Sequence, residues 1–315
     1  MNPPSDNGSQ AAYAAIRAVA DERREALKTA PVPRIHIGMA TCGIASGAME
    51  TKAAFEETLA AQNIEAKIHP VGCIGHCYAE PWVIIDHPDS GFPPIFYHNV
   101  TPGKAKMLAK LFLLEGDPRF EHVYGATEEN EMIPGVGEVP RFNREKRLIT
   151  DKCGKIDPEQ IDDYIAEGGY AALAQALDGS PEAGVREVTD ARLRGRGGAG
   201  FPTGKKWELA RSADADGKVV ICNADEGDPG AFMDRALLES NPHQVLEGMI
   251  LCGYGVGAGR GIVYVRSEYP LAVRILKKAI NQAREKGLLG ENILGGGYDF
   301  DISIFQGSGA FVCGE

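Results

Sequence analysis

The sequence lacks the marks of a membrane-spanning, secreted or nucleic-acid-binding protein. No apolar run is long enough to cross a bilayer, and the first ten residues have neither the charged region nor the apolar core of a secretory signal. The net charge of −11 argues against nucleic acid as a partner. The seven cysteines are an odd number and include no Cys-x-x-Cys pair. We therefore expect a reducing, cytoplasmic location without a disulfide framework.

The composition, 43% hydrophobic and 24% charged, is typical of a globular protein, and the length of 315 residues suggests two domains. Residues 1–29 are predicted to be an N-terminal extension, disordered to about residue 12. A first domain is predicted at 30–116. A linker at 117–152 is rich in Pro, Gly and Glu, and a second domain follows at 153–315.

The first domain has the element order β-α-β-β-β-α, which predicts a thioredoxin-like fold. Its last helix is predicted to begin at Thr101, a helix-capping residue followed by Pro102. The predicted strands cover 34–41, 66–72, 82–86 and 94–98, and the first helix covers 46–62.

The second domain alternates strands with helices and is predicted to be α/β with parallel strands. The predicted strands cover 218–223, 261–266 and 299–306, and the helices cover 242–252 and 270–286.

Two segments of the second domain carry the chemistry. Residues 193–207 contain five glycines, two arginines, two lysines and two aromatics. Glycines let backbone N–H groups wrap a phosphate, which the cations neutralise. Residues 222–234 follow an apolar run and open into amide and carboxylate groups. A glycine-rich loop alone is often only a turn, and an acidic cluster is often only a solvated loop. Together, the two segments predict a site for a phosphorylated, planar, redox-active ligand.

The pattern Gly195-x-Gly197-x-x-Gly200 matches the dinucleotide fingerprint, but its context differs. A Rossmann site needs an apolar strand before the glycines, whereas residues 188–194 are polar and helix-like. A standard Rossmann site is therefore not expected.

These segments resemble the flavin- and NADH-binding subunit of respiratory complex I, a module shared with NAD-reducing hydrogenases and NAD-dependent formate dehydrogenases. The resemblance covers residues 140–315 and ends in a Gly-Ser-Gly-Ala-Phe-Val-Cys-Gly-Glu motif at 307–315. It implies an α/β FMN-binding domain of the complex I flavin-subunit type. The FMN contacts it implies are Gly195, Arg196, Gly197, Gly198, Lys206, Asn223, Asp225, Glu226, Gly314 and Glu315.

The same resemblance implies that NAD(H) contacts Phe201, Asp228 and Phe311. An aromatic ring can stack on a base or nicotinamide. The carboxylate of Asp228 can accept hydrogen bonds from ribose hydroxyls and repel a 2′-phosphate, which favours NADH. The family often has Glu at 228 and Ser at 227, so Asp228 and Gly227 are departures from its pattern.

The first domain resembles the thioredoxin-like [2Fe–2S] ferredoxin module that accompanies this flavoprotein. That module uses a C-x4-C and a C-x3-C pair. Cys73 and Cys77 match the second pair and Cys42 the later cysteine of the first, but position 37 is Ile37. The metal ligands implied are therefore Cys42, Cys73 and Cys77, one short of a set. His36, His76 or Ser46 are the alternatives for the fourth.

The function implied is that of an NADH dehydrogenase of the diaphorase type. Hydride passes between NAD(H) and FMN, and single electrons pass to iron–sulfur subunits of a larger complex. The rival functions are a thiol–disulfide protein, disfavoured by the cysteine spacing, and a flavin-free docking subunit. The family continues beyond the motif at Glu315 into domains that include a [4Fe–4S] cluster, so we expect this chain to be a fragment.

Overall fold

The computed structural model describes residues 8–128, 130–140, 142–215, 217–228 and 230–308. They form two compact units. The first unit contains Ala26–Pro158 with Glu239–Asn241, and the second contains the rest of the described chain. Helix α1 (Gly8–Thr29) begins inside the segment predicted to be disordered. Its early residues belong to the second unit, where Tyr13 donates a hydrogen bond to the carbonyl of Gly169 at 2.8 Å.

The first unit is built on a five-stranded mixed sheet. Its strands are β1 (Arg34–Gly38), β2 (Lys67–Val71), β3 (Val83–Asp86), β4 (Ile95–Tyr97) and β5 (Val123–Ala126), in the order β2-β1-β3-β4-β5. Strands β1 and β2 are parallel, and the other neighbours are antiparallel. The first four strands have the topology of the predicted thioredoxin-like fold.

The helices of this unit are α2 (Thr41–Ala45), α3 (Ala48–Gln62) and α4 (Pro102–Leu111). Thr101 caps α4 by accepting a hydrogen bond from the N–H of Lys104, as predicted. The core contains Ile35, Phe55 and Leu108, all fully buried, because alternate residues of the strands point toward α3 and α4. A smaller core of Val71, Trp82 and Phe96 forms a separate cluster.

The segment 117–152, predicted to be a linker, is part of the first unit. It supplies β5, which pairs with β4 in antiparallel register, and it packs Tyr124 and Val136 against the smaller core. The composition suggested a linker because the segment is rich in Pro, Gly and Glu. Its few apolar residues are sufficient here because they only need to extend and cover a sheet that already exists.

The second unit combines a helical layer with a three-stranded sheet. Its helices after α1 are α5 (Ile161–Ala166), α6 (Ala171–Leu177), α7 (Pro181–Asp190), α8 (Thr203–Ser212), α9 (Met233–Ser240), α10 (Pro242–Val256) and α11 (Pro270–Glu285). Its strands are β6 (Val219–Ala224), β7 (Arg260–Arg266) and β8 (Asp301–Gly307). All neighbouring strands are parallel, so the predicted α/β architecture is confirmed.

Helix α10 is the element that positions the candidate site. It contacts α6, α7, α8 and α11 as well as β6 and β7. Its residues Leu246 and Ile250 are fully buried, as are Val263 and Val265 of β7. The helix and the strand that carry the predicted site residues, α8 and β6, are thereby held on one support.

None of the described helices is both long enough and apolar enough to span a bilayer.

Candidate functional site

The glycine-rich loop is an open surface loop between α7 and α8. No strand precedes it, since α7 ends at Asp190, and the expectation that this is not a Rossmann fingerprint holds. The N–H of Gly195 donates to the carbonyl of Phe201 at 2.9 Å and closes the loop. Arg194 donates through Nε to the carbonyl of Gly200, and Arg196 donates to the carbonyl of Arg194. These bonds fix the two sides of the loop and leave its tip exposed.

One glycine of the tip has a backbone conformation that favours glycine, and two lie in open space. Gly198 has φ of +102°, a conformation that favours glycine. A Cβ placed on Gly197 or Gly198 would meet no atom within 4 Å, so the space over both residues is open. An anion can therefore approach the backbone of the tip directly.

Helix α8 begins immediately after the loop and carries Lys206 in its first turn. The side chain of Lys206 is exposed, and its positive charge interacts electrostatically with Cys252 of α10. Burial raises the pKa of the Cys252 thiol to about 11, and the lysine opposes that shift. The N-terminus of α8, with its positive dipole end, directly follows the loop, which is an arrangement suited to phosphate binding.

The end of β6 delivers the polar residues of the second segment. Asn223 and Asp228 have exposed side chains. The amide oxygen of Asn223 accepts from the N–H of Asp225 at 3.1 Å, and the carboxylate of Asp228 accepts from the N–H of Gly230 at 3.2 Å. Each of these turns leaves polar atoms of the side chain available to a ligand.

The other two acidic residues of this turn point inward. Glu226 is only 9% exposed, and its carboxylate accepts hydrogen bonds from the N–H groups of Asp234 and Arg235 at 3.1 and 3.2 Å. Burial, together with the carboxylate of Glu226, raises the pKa of Asp234. The Asp225 side chain is likewise 9% exposed and lies 3.9 Å from Nε of Arg266.

The chemical groups at this site match those that an FMN molecule needs. They offer an open glycine loop and a lysine for the phosphate, and an exposed amide for polar edges. A buried oxygen of Asp225 accepts no hydrogen bond within the described residues, although it lies 3.9 Å from Nε of Arg266. Phe201, 48% exposed, supplies an aromatic face. The remaining predicted contacts, Phe311, Gly314 and Glu315, lie outside the described residues.

Sequence reasoning missed two residues of this region, Arg266 and Tyr269. Arg266 donates to the carbonyl of Glu226, and the hydroxyl of Tyr269 donates to the Glu226 carboxylate at 3.2 Å. The available signal was an Arg-x-Glu-Tyr run at the end of a predicted strand. Because the run follows a strand parallel to β6, its charged groups lie at the same end of the sheet as the acidic turn.

The structure places the three predicted cysteine ligands near one another. Sγ of Cys77 lies 3.5 Å from Sγ of Cys42, and Cys73 interacts electrostatically with both. The N–H of Gly75 donates to the Cys73 sulfur at 3.2 Å. Burial raises the pKa of the Cys73 thiol to about 12. Cys77 is exposed and Cys42 is half-buried.

No fourth ligand completes this cysteine set in the described part of the chain, where no group of three or more His, Cys, Asp or Glu residues is arranged to hold a metal ion. Ile37 is fully buried in the core. His36 stacks on His69, and burial lowers its pKa to about 4. His76 is buried, with a ring nitrogen 2.8 Å from the Tyr78 hydroxyl. Cys42, Cys73 and Cys77 therefore remain predicted ligands, one short of the four that a [2Fe–2S] cluster needs.

Comparison with known proteins finds one matching family model and several similar relatives. Residues 188–315 match the family model of the Nuo51 FMN-binding domain. The chain is 60% identical over 172 residues to the NADP-reducing hydrogenase subunit HndC of Solidesulfovibrio fructosivorans, covering 55% of this chain and 35% of that relative. It is 46% identical over 179 residues to an NADH-quinone oxidoreductase subunit of Aquifex aeolicus, covering 56% of this chain and 42% of that relative.

Among solved structures, an NAD⁺-reducing [NiFe]-hydrogenase in the H₂-reduced state aligns with 99% of this chain and 53% of its own, at 24% identity and a TM-score of 0.44. The chain spans less than half the length of the two curated relatives.

Proposed function

We propose that the chain is the NADH-oxidising, FMN-binding subunit of an electron-transfer complex, because residues 188–315 match the family model of the Nuo51 FMN-binding domain. Its reaction is hydride exchange between NAD(H) and FMN. Its acceptors are iron–sulfur subunits of the same complex. The observation that carries the proposal is the open glycine loop, with Lys206 exposed in the helix turn that follows it.

In the proposed site, the phosphate of FMN is held by the loop and by the lysine. Backbone N–H groups at the open tip are suited to phosphate oxygens, since nothing covers the tip. The Lys206 ammonium adds a charge-assisted hydrogen bond. The members of this phosphate subsite are Gly195, Arg196, Gly197, Gly198 and Lys206.

The polar end of β6 binds the rest of the flavin. The exposed side chain of Asn223 can donate and accept hydrogen bonds along the ribityl chain or the ring edge. Asp225 supplies a carboxylate whose Oδ1 accepts no hydrogen bond from the described residues and lies 3.9 Å from Nε of Arg266. Glu226 acts differently, because its carboxylate is engaged by the first N–H groups of α9, and so it holds the turn.

The nicotinamide nucleotide is placed over the same region by Phe201 and Asp228. The half-exposed ring of Phe201 offers a stacking face. The exposed Asp228 carboxylate can accept from ribose hydroxyls and repel a 2′-phosphate, so NADH is the preferred donor. The two named relatives differ on this point, one being named for NADP and the other for NADH.

FMN, when bound, supplies the chemistry, because it can take up a pair of electrons with a proton and release the electrons singly. The protein contributes binding and orientation: no nucleophile or general base is needed. The residues hold the two ring systems against each other and keep the acidic turn in place.

The proposed acceptors and location rest on this chemistry. Electrons released singly require one-electron carriers, which iron–sulfur subunits provide. The six described cysteines form no disulfide, which supports a reducing compartment such as the cytoplasm.

The full-length protein tests the proposal through its FMN content and its NADH-dependent reduction of ferricyanide. We expect one FMN per chain and activity that is lost when the flavin is removed and restored when it is added back. Protein that is folded but retains no FMN and gains no activity from added FMN would instead support a flavin-free docking subunit.

A further inference from the structure

A cluster of polar groups surrounds the buried carboxylate of Glu226 in the acidic turn at residues 225–228. The carboxylate of Glu226 accepts three hydrogen bonds. Two come from the N–H groups of Asp234 and Arg235 at the start of α9, and one comes from the hydroxyl of Tyr269 at 3.2 Å. A carboxylate at a helix N-terminus is stabilised by the helix dipole as well as by the bonds themselves. These hydrogen bonds hold the side chain of Glu226, and with it the turn, in place.

Arg266 holds the same turn from the end of β7. One terminal nitrogen donates to the carbonyl of Glu226, and the other donates to the Glu268 carboxylate at 2.9 Å. Its Nε lies 3.9 Å from the carboxylate of Asp225, and the side chains of Arg266 and Asp225 are 16% and 9% exposed. The guanidinium thus bonds to the backbone of the turn and also offsets the charge of a nearly buried carboxylate.

The negative charge of the turn must be offset if an anionic ligand is to bind beside it. Three carboxylates occur within four residues, at Asp225, Glu226 and Asp228. Uncompensated, they would repel the phosphates of FMN and of a nicotinamide nucleotide. Arg266 compensates Asp225, while Tyr269 and the start of α9 stabilise Glu226, so the exposed carboxylate of Asp228 is the one left facing a ligand.

We propose that Arg266 and Tyr269 are positioning residues of the flavin site. They fix the backbone and the charge of the acidic turn, so that Asn223 and Asp228 present their side chains to the ligands. Both act through the turn and not by touching the reacting atoms. This inference rests on the proposed function, because it names the residues that set the geometry of that site.

The variants Tyr269→Phe, Arg266→Lys and Arg266→Gln test the proposal in the full-length protein. Tyr269→Phe removes the hydroxyl but keeps the ring over which the guanidinium of Arg266 lies, 5.6 Å from its centre. Arg266→Lys keeps the charge but loses the fork that bonds to two acceptors. Arg274→Gln is the matched control, since Arg274 is 60% exposed on the neighbouring α11 and pairs with Glu159.

The FMN dissociation constant is measured by the quenching of FMN fluorescence, and KM and kcat for NADH are measured at saturating FMN. We expect Tyr269→Phe to weaken FMN binding about tenfold, the value of one hydrogen bond to a charged group. Arg266→Gln should weaken it more, and Arg266→Lys should lie between Arg266→Gln and the wild type. KM for NADH should rise by a larger factor than kcat falls. The control should match the wild type.

The outcomes separate this inference from the proposed function. Variants that lose thermal stability but keep the wild-type FMN affinity and KM would show that the cluster only stabilises the fold, which overturns the positioning role alone. A folded wild-type protein that binds no FMN would overturn both.

Discussion

Charge reversal at Lys206 is the sharpest perturbation of the phosphate subsite. Lys206 lies in the first turn of α8, directly after the open glycine loop, and its side chain is exposed. Lys206→Glu places a carboxylate where the FMN phosphate is proposed to bind. The exposed position also means that the substitution removes no core contact, so the fold should survive it.

The magnitude follows from the lost attraction and the added repulsion. A hydrogen bond to a charged group contributes about 1.5–3 kcal/mol. Two like charges a few ångströms apart at a protein surface repel by about 1 kcal/mol in water and by up to about 4 kcal/mol where water is partly excluded. Salt screens both interactions, so the lower values of the two energy ranges apply. The sum is about 3 kcal/mol, which weakens FMN binding by a factor of at least about 100.

Equilibrium titration of the full-length apoprotein with FMN measures this factor, and Lys205→Glu is the matched control. Lys205 is adjacent, also exposed, and paired with Glu208 at 3.2 Å. The account predicts that only Lys206→Glu loses FMN. Equal FMN affinity in both variants and the wild type would refute the assignment of Lys206 to the phosphate.

Three further predictions concern other parts of the chain. Asp228→Ser should raise KM for NADH and improve the ratio of NADPH to NADH turnover; loss of NADH activity without that gain would make Asp228 structural only. Iron bound by the first unit after anaerobic reconstitution should be lost in Cys73→Ser, and iron retention would show that the ligands are misassigned. Glu247→Ala removes the acceptor of the Tyr164 hydroxyl and of the N–H groups of Tyr170 and Leu173. Urea unfolding should therefore show a free energy of unfolding lower by about 3 kcal/mol, whereas Glu285→Ala, at an exposed position, should leave it unchanged.

The alternation of apolar segments was enough to predict the sheet that carries the site. Strand β6 was placed within one residue of its observed bounds, because a short apolar run followed by Asn and Asp marks the end of a parallel strand. The contribution of residues 117–152 to the first sheet could not be predicted in this way. A short strand such as β5 has too few residues to show a period, and its pairing with β4 is a long-range choice.

The orientation of the acidic residues was also beyond the sequence. Asp225, Glu226 and Asp228 look alike as residues, yet only Asp228 is exposed. Glu226 turns inward because the start of α9 and the hydroxyl of Tyr269, 43 residues further along the chain, provide its donors. Partners so far apart in sequence leave no local pattern, whereas the loop before α8 is specified locally by its glycines.

Anaerobic titration of the FMN-loaded full-length protein with NADH shows whether this chain oxidises NADH through bound FMN. We expect stoichiometric NADH to bleach the visible flavin band, and NADPH to do so less effectively. A flavin band that stays unchanged in the presence of excess NADH would contradict the claim that this chain oxidises NADH through bound FMN.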